Sequence, residues 1–294
     1  MKFRQFIECC LLQEDLNFLL TNRIPRRAAT LFMGRFSKIT QPVVCAVSIH
    51  LWRFFSKVDL SDAEQTQFRS LHDAFIRKLK PGARTVDPDP TRLTSPCDGI
   101  IGAHGAIADT TVFQAKGFPY SIRDLLPDQQ LVDTFRHGTY LTLRITAGMY
   151  HRFHAPVDCH ISRITYISGD TWNVNPIALK RVEKLFCKNE RAVIEAEFPD
   201  PQGRPIPFLM IPVAAILVAS IRLYFIDVLL NLRYRGANTI PCDARYQKGE
   251  ELGWFEHGST IILLFPAHYT FCPGVQEGMP IRMGEPLIQL SQRP

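Results

Sequence analysis

The tripeptide Gly258-Ser259-Thr260 stands directly ahead of an apolar, β-branched run at 261–265. A serine hydroxyl can attack the carbonyl of the preceding residue, and a glycine lets the backbone bend into the strained approach that this attack needs. Elimination across the resulting ester would leave an N-terminal pyruvoyl group, a ketone that can act as an electron sink. Such a tripeptide also occurs by chance in loops, so the interpretation depends on partners elsewhere in the chain.

Two upstream segments carry residues that could serve as those partners. Asp98 lies in the turn-rich sequence Ser-Pro-Cys-Asp-Gly at 95–99, and His151 and His154 lie in Tyr-His-Arg-Phe-His at 150–154. An isolated Asp-Gly is usually a surface turn. Residues three apart point to opposite faces of a strand, so a tight turn is needed to bring both histidines into one pocket.

Taken together, Asp98, His154 and Ser259 supply an orienting carboxylate, a base and a nucleophile. A serine hydroxyl becomes a good nucleophile when an imidazole takes its proton, and a carboxylate can fix the tautomer of that imidazole. The same three residue types could also form a serine hydrolase on an uncut chain. The nucleophile elbow Gly-x-Ser-x-Gly is absent, because residues 257–261 read His-Gly-Ser-Thr-Ile, and this weakens the hydrolase interpretation.

Across most of its length the chain resembles the phosphatidylserine decarboxylases of the long bacterial type. The resemblance rests on several short motifs in the family's order and at family-like spacing. They lie at 75–79 (Phe-Ile-Arg-Lys-Leu), 95–99, 114–117 (Gln-Ala-Lys-Gly), 120–121, 150–154, 169–170, 174–175, 189–191 (Asn-Glu-Arg), 248–253 and 258–260.

The resemblance implies a chain that cleaves itself between Gly258 and Ser259. Ser259 matches the serine that becomes the pyruvoyl cofactor, and Gly258 matches the residue left at the new C-terminus. The products would be a β chain of residues 1–258 and an α chain of residues 259–294 that stay associated. Asp98 and His154 match the pair that drives this cleavage with the serine.

The resemblance also implies the reaction, which converts phosphatidylserine to phosphatidylethanolamine and carbon dioxide. His151 matches the histidine that acts on the substrate, and Tyr150 and Lys116 are candidate substrate contacts. The family tends to form homodimers. The chain departs from the family at His257, where a leucine or small residue is usual, at Met149, where aspartate is frequent, and at alanines within 213–221 where glycines are usual.

Composition favours a folded protein that meets an anionic surface. The chain has 294 residues, is 46% hydrophobic and has a net charge of +6. Residues 1–60 contain nine basic and four acidic residues, so nearly all of the excess is N-terminal, where it can meet anionic lipid headgroups. We expect no nucleic-acid partner. The eight cysteines are scattered without a Cys-x-x-Cys pair, so no metal site is predicted.

The same sequence predicts attachment to a membrane rather than insertion through it. The first twenty residues include Glu8, Glu14 and Asp15, which do not suit a secretion signal. The most apolar stretch, 207–221, has 15 residues and contains Pro212, whereas a spanning helix needs roughly 20 apolar residues. We therefore expect a peripheral protein, and the resemblance to bacterial enzymes implies the cytoplasmic face of the inner membrane.

The predicted fold class is α+β, with N-terminal membrane-associated helices followed by a compact, β-rich catalytic domain of sandwich or barrel type. Residues 1–80 show helical apolar spacing, including stripes at 3–11 and 44–55, and a capping box at 61–64 predicts a further helix through 79. The Pro- and Asp-rich segment 80–94 is the predicted boundary, so the domains would be 1–80 and 81–294.

Within the second domain, short β-like runs alternate with turn residues. Helices are expected near 120–135 and 176–187, and strands at 99–103, 140–146, 161–167, 192–198, 208–211, 213–221 and 260–265. A non-enzymatic lipid-binding protein with this fold is a third possibility beside the decarboxylase and the hydrolase, and chain cleavage separates the first from the other two.

Overall fold

A computed structural model describes residues 13–56, 58–115, 118–217, 220–256 and 259–290 of the chain. The fold is α+β, with a β-rich body and mostly short helices. The helices are α1 Glu14–Asn22, α2 Arg26–Phe36, α3 Pro42–Ser56, α4 Leu71–Phe75, α5 Ile122–Leu125, α6 Gln129–Phe135, α7 Pro176–Leu179 and α8 Leu185–Lys188.

The strands make up one large sheet and three small ones. They are β1 Arg92–Thr94, β2 Gly99–Ala106, β3 Thr111–Ala115, β4 Phe118–Ser121, β5 Thr139–Ile145, β6 Arg152–His154, β7 Cys159–Ile167, β8 Arg191–Pro199, β9 Pro205–Ala214, β10 Ser220–Leu223, β11 Leu229–Asn231, β12 Thr239–Tyr246, β13 Glu251–Phe255, β14 Ser259–Phe265, β15 Thr270–Phe271, β16 Pro280–Ile281 and β17 Pro286–Gln289.

The large sheet has eight strands in the order β12-β7-β8-β9-β14-β5-β2-β16. All of its described pairings are antiparallel, and β14 pairs with β9 on one side and β5 on the other. Every residue of β14 is buried, which explains its continuous apolar sequence. A strand with both faces covered lacks the polar alternation of a solvent-facing strand.

Two hydrophobic layers lie on opposite faces of this sheet. Ile261, Leu263 and Phe265 of β14 join the layer that also contains Phe153 of β6 and Phe255 of β13. The alternate residues of β14 join a second layer with apolar side chains of helices α5 to α8. Because successive side chains of a strand point to opposite faces, one strand contributes to both layers.

The small sheets position the segments that carry the candidate site. One has the order β11-β10-β13-β6 and contains His154 at the end of β6. Another joins β1, β17 and β15, and β16 pairs with β2 at the edge of the large sheet. Residues 259–290 therefore contribute strands to two sheets, and in both they pair with strands from the upstream chain.

The N-terminal helices α1 to α3 lie where helical spacing was predicted, and the stripe at 3–11 lies outside the described residues. In α3, the side chains of Val43, Val47, Leu51 and Phe55 are exposed, while Cys45 is buried. Among the described residues, none of the helices combines the length and the apolar character needed to cross a bilayer.

The helix predicted from the capping box at Ser61 is wrong. Asp59 instead accepts hydrogen bonds from the backbone N–H and the hydroxyl of Ser61, at 2.8 and 2.9 Å, which form a local turn that competes with a helix. The only helix here, α4, is capped by Ser70, whose hydroxyl accepts from the Asp73 N–H. Leu79 lies in an isolated bridge to Ala63 rather than on a helical stripe.

Most predicted strands are confirmed, with different ends, but the continuous strand at 213–221 is wrong. β9 runs through Pro212 and ends at Ala214, and β10 begins at Ser220 in another sheet. Leu217, between them, has φ of +88°, which breaks extended structure. The helices expected at 120–135 and 176–187 each occur as two short helices, and Pro127 lies between α5 and α6.

Candidate active site

Ser259 is the first residue of the central strand β14. Its backbone faces Ile145 of β5 on one side and Ala214 of β9 on the other. The side chain is completely buried, and its hydroxyl has no hydrogen-bond partner among the described residues. A buried hydroxyl without a partner carries a desolvation cost, so its burial at this position calls for an explanation.

His154 is a buried imidazole with both ring nitrogens engaged. Nδ1 lies 2.8 Å from the carbonyl oxygen of Gly249, and Nε2 lies 3.0 Å from the hydroxyl of Tyr150. A carbonyl can only accept, so Nδ1 carries the proton and the lone pair is on Nε2. Burial lowers the pKa of His154 below its usual value, which favours the neutral form that can act as a base.

Asp98 precedes β2 and is held by an arginine. Nε and Nη2 of Arg84 donate to its two carboxylate oxygens, at 2.9 and 2.5 Å, and the backbone N–H of Met283 donates to Oδ1 at 2.9 Å. Arg84 also donates to Asp62 at 2.9 Å. The carboxylate hydrogen bonds raise the pKa of Arg84 above its usual range.

The predicted orientation of His154 by Asp98 is not a direct contact in this structure. The hydrogen bonds of the Asp98 carboxylate go to Arg84 and Met283, while Gly249 holds the ring of His154. The segments that carry Asp98 and His154 are nonetheless adjacent, because the backbone N–H of His154 donates to the carbonyl of Pro96 at 2.8 Å. The negative charge of Asp98 still acts on His154 through space and opposes the effect of burial on its pKa.

His151 lies just ahead of β6 and is fully buried. Its Nδ1 is 2.8 Å from the carbonyl oxygen of Met149, and its ring lies against that of Phe75 with the centroids 4.0 Å apart. His151 directly precedes β6 and His154 ends it, so extended backbone joins the two histidines instead of the tight turn that one shared pocket would need. Lys116, Gly258 and His257 lie outside the described residues.

Sequence reasoning missed three groups around the site. Arg84 forms an ion pair with Asp98, and the carbonyl of Gly249 sets the tautomer of His154. The carboxylate of Glu256 lies 3.3 Å from Nζ of Lys38 and 3.7 Å from Nε2 of His72. No sequence pattern identifies Arg84 or Lys38 as part of the site. Asp98 lies 14 positions after Arg84, and Glu256 lies 218 positions after Lys38. Tyr150 was expected to contact substrate, and the structure places its hydroxyl 3.0 Å from Nε2 of His154.

The chain matches a family model described as phosphatidylserine decarboxylase over residues 71–289. A phosphatidylserine decarboxylase proenzyme of Brevibacillus brevis is 33% identical over 91% of this chain and 95% of its own length. Proteins with the same name from Methylibium petroleiphilum and Chromobacterium violaceum are each 35% identical over 93% of this chain, covering 97% and 99% of their own lengths. The chain therefore belongs to the phosphatidylserine decarboxylase family.

Proposed function

We propose that this protein decarboxylates phosphatidylserine to phosphatidylethanolamine after cleaving its own chain between Gly258 and Ser259. The observation that carries the proposal is the buried hydroxyl of Ser259 at the start of the central strand, which has no partner among the described residues, in a chain whose relatives described above are named as proenzymes. The products would be a chain of residues 1–258 and one of residues 259–294.

His154 would act as the base of the cleavage step. Its neutral ring, with the lone pair on Nε2, can accept the Ser259 hydroxyl proton once the Tyr150 hydroxyl gives way. The Ser259 oxygen then bonds to the Gly258 carbonyl carbon, and the amide C–N bond breaks to give an ester and a free amine. Loss of the Ser259 α-proton eliminates the ester, and hydrolysis of the resulting enamine releases ammonia.

The surroundings of Ser259 fit the pyruvoyl group that this sequence of steps would leave. Backbone pairing with both Ile145 and Ala214 holds the strand end in place after the bond before it is cut. When formed, the group supplies a ketone that withdraws electrons from the substrate carbon losing carbon dioxide. His151 would hold the proton for that carbon, with Met149 accepting from Nδ1 and Phe75 fixing the ring plane.

An apolar groove of about 610 Å³ favours a lipid substrate. Side chains from α2 and α3 line it, together with Ala147 from the loop before His151 and Leu217 from the segment before β10. Val47, Leu51 and Phe55 are exposed beside it. We propose that α1 to α3 rest on an anionic membrane surface, on the cytoplasmic face of the inner membrane, and that the enzyme works there as a homodimer.

The first experiment is the intact mass of the purified protein under denaturing conditions. Two fragments meeting between Gly258 and Ser259, the smaller with a pyruvoyl instead of a serine terminus, would support the proposal. Ser259→Ala should remain one chain. His151→Ala should still be cut but should not release carbon dioxide from phosphatidylserine.

The alternatives give different results in the same experiment. An uncut wild-type chain that reacts with a serine-directed phosphonate would identify a hydrolase. An uncut chain that binds lipid and has neither activity would be a binding protein. A normally cut Ser259→Ala variant would remove Ser259 from the mechanism.

A further inference from the structure

Arg77, two residues after α4, is a buried cation with an unsatisfied guanidinium. The residue is only 6% exposed. Its Nη2 donates to the carbonyl of Gly148 at 3.3 Å, whereas Nε and Nη1 are buried and contact no acceptor among the described residues. The indole of Trp52 lies 5.9 Å from its guanidinium carbon, which shields one side without supplying an acceptor.

The charges around Arg77 do not compensate this burial. Burial lowers the pKa of Arg77 below its usual range, and the attraction of Asp98 and Asp59 only partly opposes it. Asp98 is already held by both nitrogens of the Arg84 fork, and the positive charge of Arg84 acts against Arg77. A buried charge without a partner is strongly unfavourable, and no carboxylate among the described residues contacts this guanidinium.

The position of Arg77 indicates which anion it would meet. Consecutive carbonyls of one loop engage Trp52 at Ala147, Arg77 at Gly148 and His151 at Met149. Trp52 and Ala147 also line the apolar groove. The contacts of this loop therefore follow an order in space. The apolar groove lies at Ala147, the guanidinium of Arg77 at Gly148, and the imidazole of His151, which packs on Phe75, at Met149.

We propose that Arg77 binds the phosphodiester of the substrate and so sets the distance between the lipid-bearing groove and the reacting serine headgroup. The inference rests on the proposed function, since a serine phospholipid carries an anionic phosphate between its acyl chains and its serine. Arginine is well suited to this task, because its planar guanidinium donates to several phosphate oxygens at once.

The test compares a substrate that has the phosphate with one that lacks it. Arg77→Met, Arg77→Lys and the control Arg69→Met are purified, and their self-cleavage is checked by mass. Arg69 is a matched control because it lies eight positions away and its side chain is 88% exposed. Decarboxylation is then measured on phosphatidylserine and on O-dodecylserine, which keeps the amine and carboxylate but has no phosphate.

We expect Arg77→Met to raise KM for phosphatidylserine about 10- to 100-fold, with kcat changed much less and O-dodecylserine turned over as in the wild type. Arg77→Lys should recover part of the loss, and Arg69→Met should change neither substrate. Equal losses of activity on both substrates would mean that Arg77 binds the serine carboxylate of the substrate or supports the fold, and would overturn the proposal. Unchanged KM in a cleaved Arg77→Met would also overturn it.

A binding measurement separates this inference from the proposed function. Glycerophosphoserine should raise the melting temperature of wild-type protein and of Arg69→Met, should raise that of Arg77→Lys less, and should leave that of Arg77→Met unchanged, while O-methylserine should have little effect. This holds even if the wild-type chain proves inactive, in which case the proposed reaction fails and the phosphate site does not. Equal stabilisation of wild type and Arg77→Met by glycerophosphoserine would refute the phosphate site.

Discussion

Replacing Arg84 by methionine should destabilise the folded protein far more than removing an ordinary surface arginine. The side chains of Arg84 and Asp98 are each only 10% exposed, and the guanidinium supplies two of the three hydrogen bonds to the carboxylate. Removing one partner of a buried ion pair leaves an uncompensated charge and costs about 3–5 kcal/mol. The remaining bond from Met283 places the expected loss near the lower end of that range.

The control is Arg92→Met, because Arg92 also pairs with two carboxylates but is far more exposed. Its side chain is 42% exposed and contacts Asp87 and Asp89 at 3.3 and 3.2 Å. Exposed pairs of this kind contribute about 0–1 kcal/mol. Both substitutions are made in the uncut Ser259→Ala background, so that urea unfolding followed by tryptophan fluorescence reports on one chain.

A second substitution tests the cause of the loss. If the penalty of Arg84→Met comes from the stranded charge, adding Asp98→Asn should restore at least about 1 kcal/mol of the free energy of unfolding, because the amide is neutral. In the cleavable chain, Arg84→Met should also slow self-processing. The reasoning is refuted if Arg84→Met costs no more than Arg92→Met, or if Asp98→Asn restores nothing in the double variant.

Three further outcomes follow from the site and the groove. Burial lowers the pKa of His154 below 6.5, so the self-cleavage rate should stay level between pH 8 and pH 7 and should fall only when the pH drops through that lowered pKa. A decline that already begins above pH 7 would contradict this. The fragment starting at Ser259 should co-elute with the rest in native gel filtration and separate only in denaturant, since all seven residues of β14 are buried; separation without denaturant would contradict this. Val47→Asp should weaken binding to anionic vesicles while leaving self-cleavage intact, with the exposed Glu64→Asp as a neutral control; unchanged vesicle binding would remove α3 from the membrane surface.

The sequence predicted the class of fold and most strands because period-2 patterns and turn residues are local signals. The strand predicted at 260–265 from its apolar run agrees with β14, which begins one residue earlier, at Ser259. The capping box at Ser61 failed because Asp59, two residues earlier, accepts from the Ser61 N–H, and the Glu64 N–H donates to the carbonyl of Lys78 instead of the Ser61 hydroxyl. The end of β9 at Ala214 was missed because the sequence stays apolar where the chain changes sheets.

In the site, too, local sequence signals identified some residues, whereas contacts that depend on the fold were missed. Residue types indicated Ser259, His154 and Asp98, but their partners depend on contacts between distant segments. The acceptor for Nδ1 of His154 is a backbone carbonyl, which every residue possesses, so the sequence could not single out Gly249. Arg84 is likewise one of many arginines until the fold brings it to Asp98.

The hydroxyl of Tyr150 decides whether His154 acts directly or through a relay. In this structure the hydroxyl occupies the Nε2 lone pair that we propose accepts the Ser259 proton, so a direct transfer would first have to break this bond. A hydrogen bond between neutral groups contributes about 0.5–1.5 kcal/mol, so Tyr150→Phe should leave the self-cleavage rate unchanged or raise it up to about tenfold. The matched control is Tyr120→Phe, because the Tyr120 hydroxyl is also buried but has no partner among the described residues. Both rates are measured by mass as newly purified precursor is converted. A Tyr150→Phe variant that cleaves 100-fold more slowly than Tyr120→Phe would refute direct transfer, since the proton must then pass through the phenol.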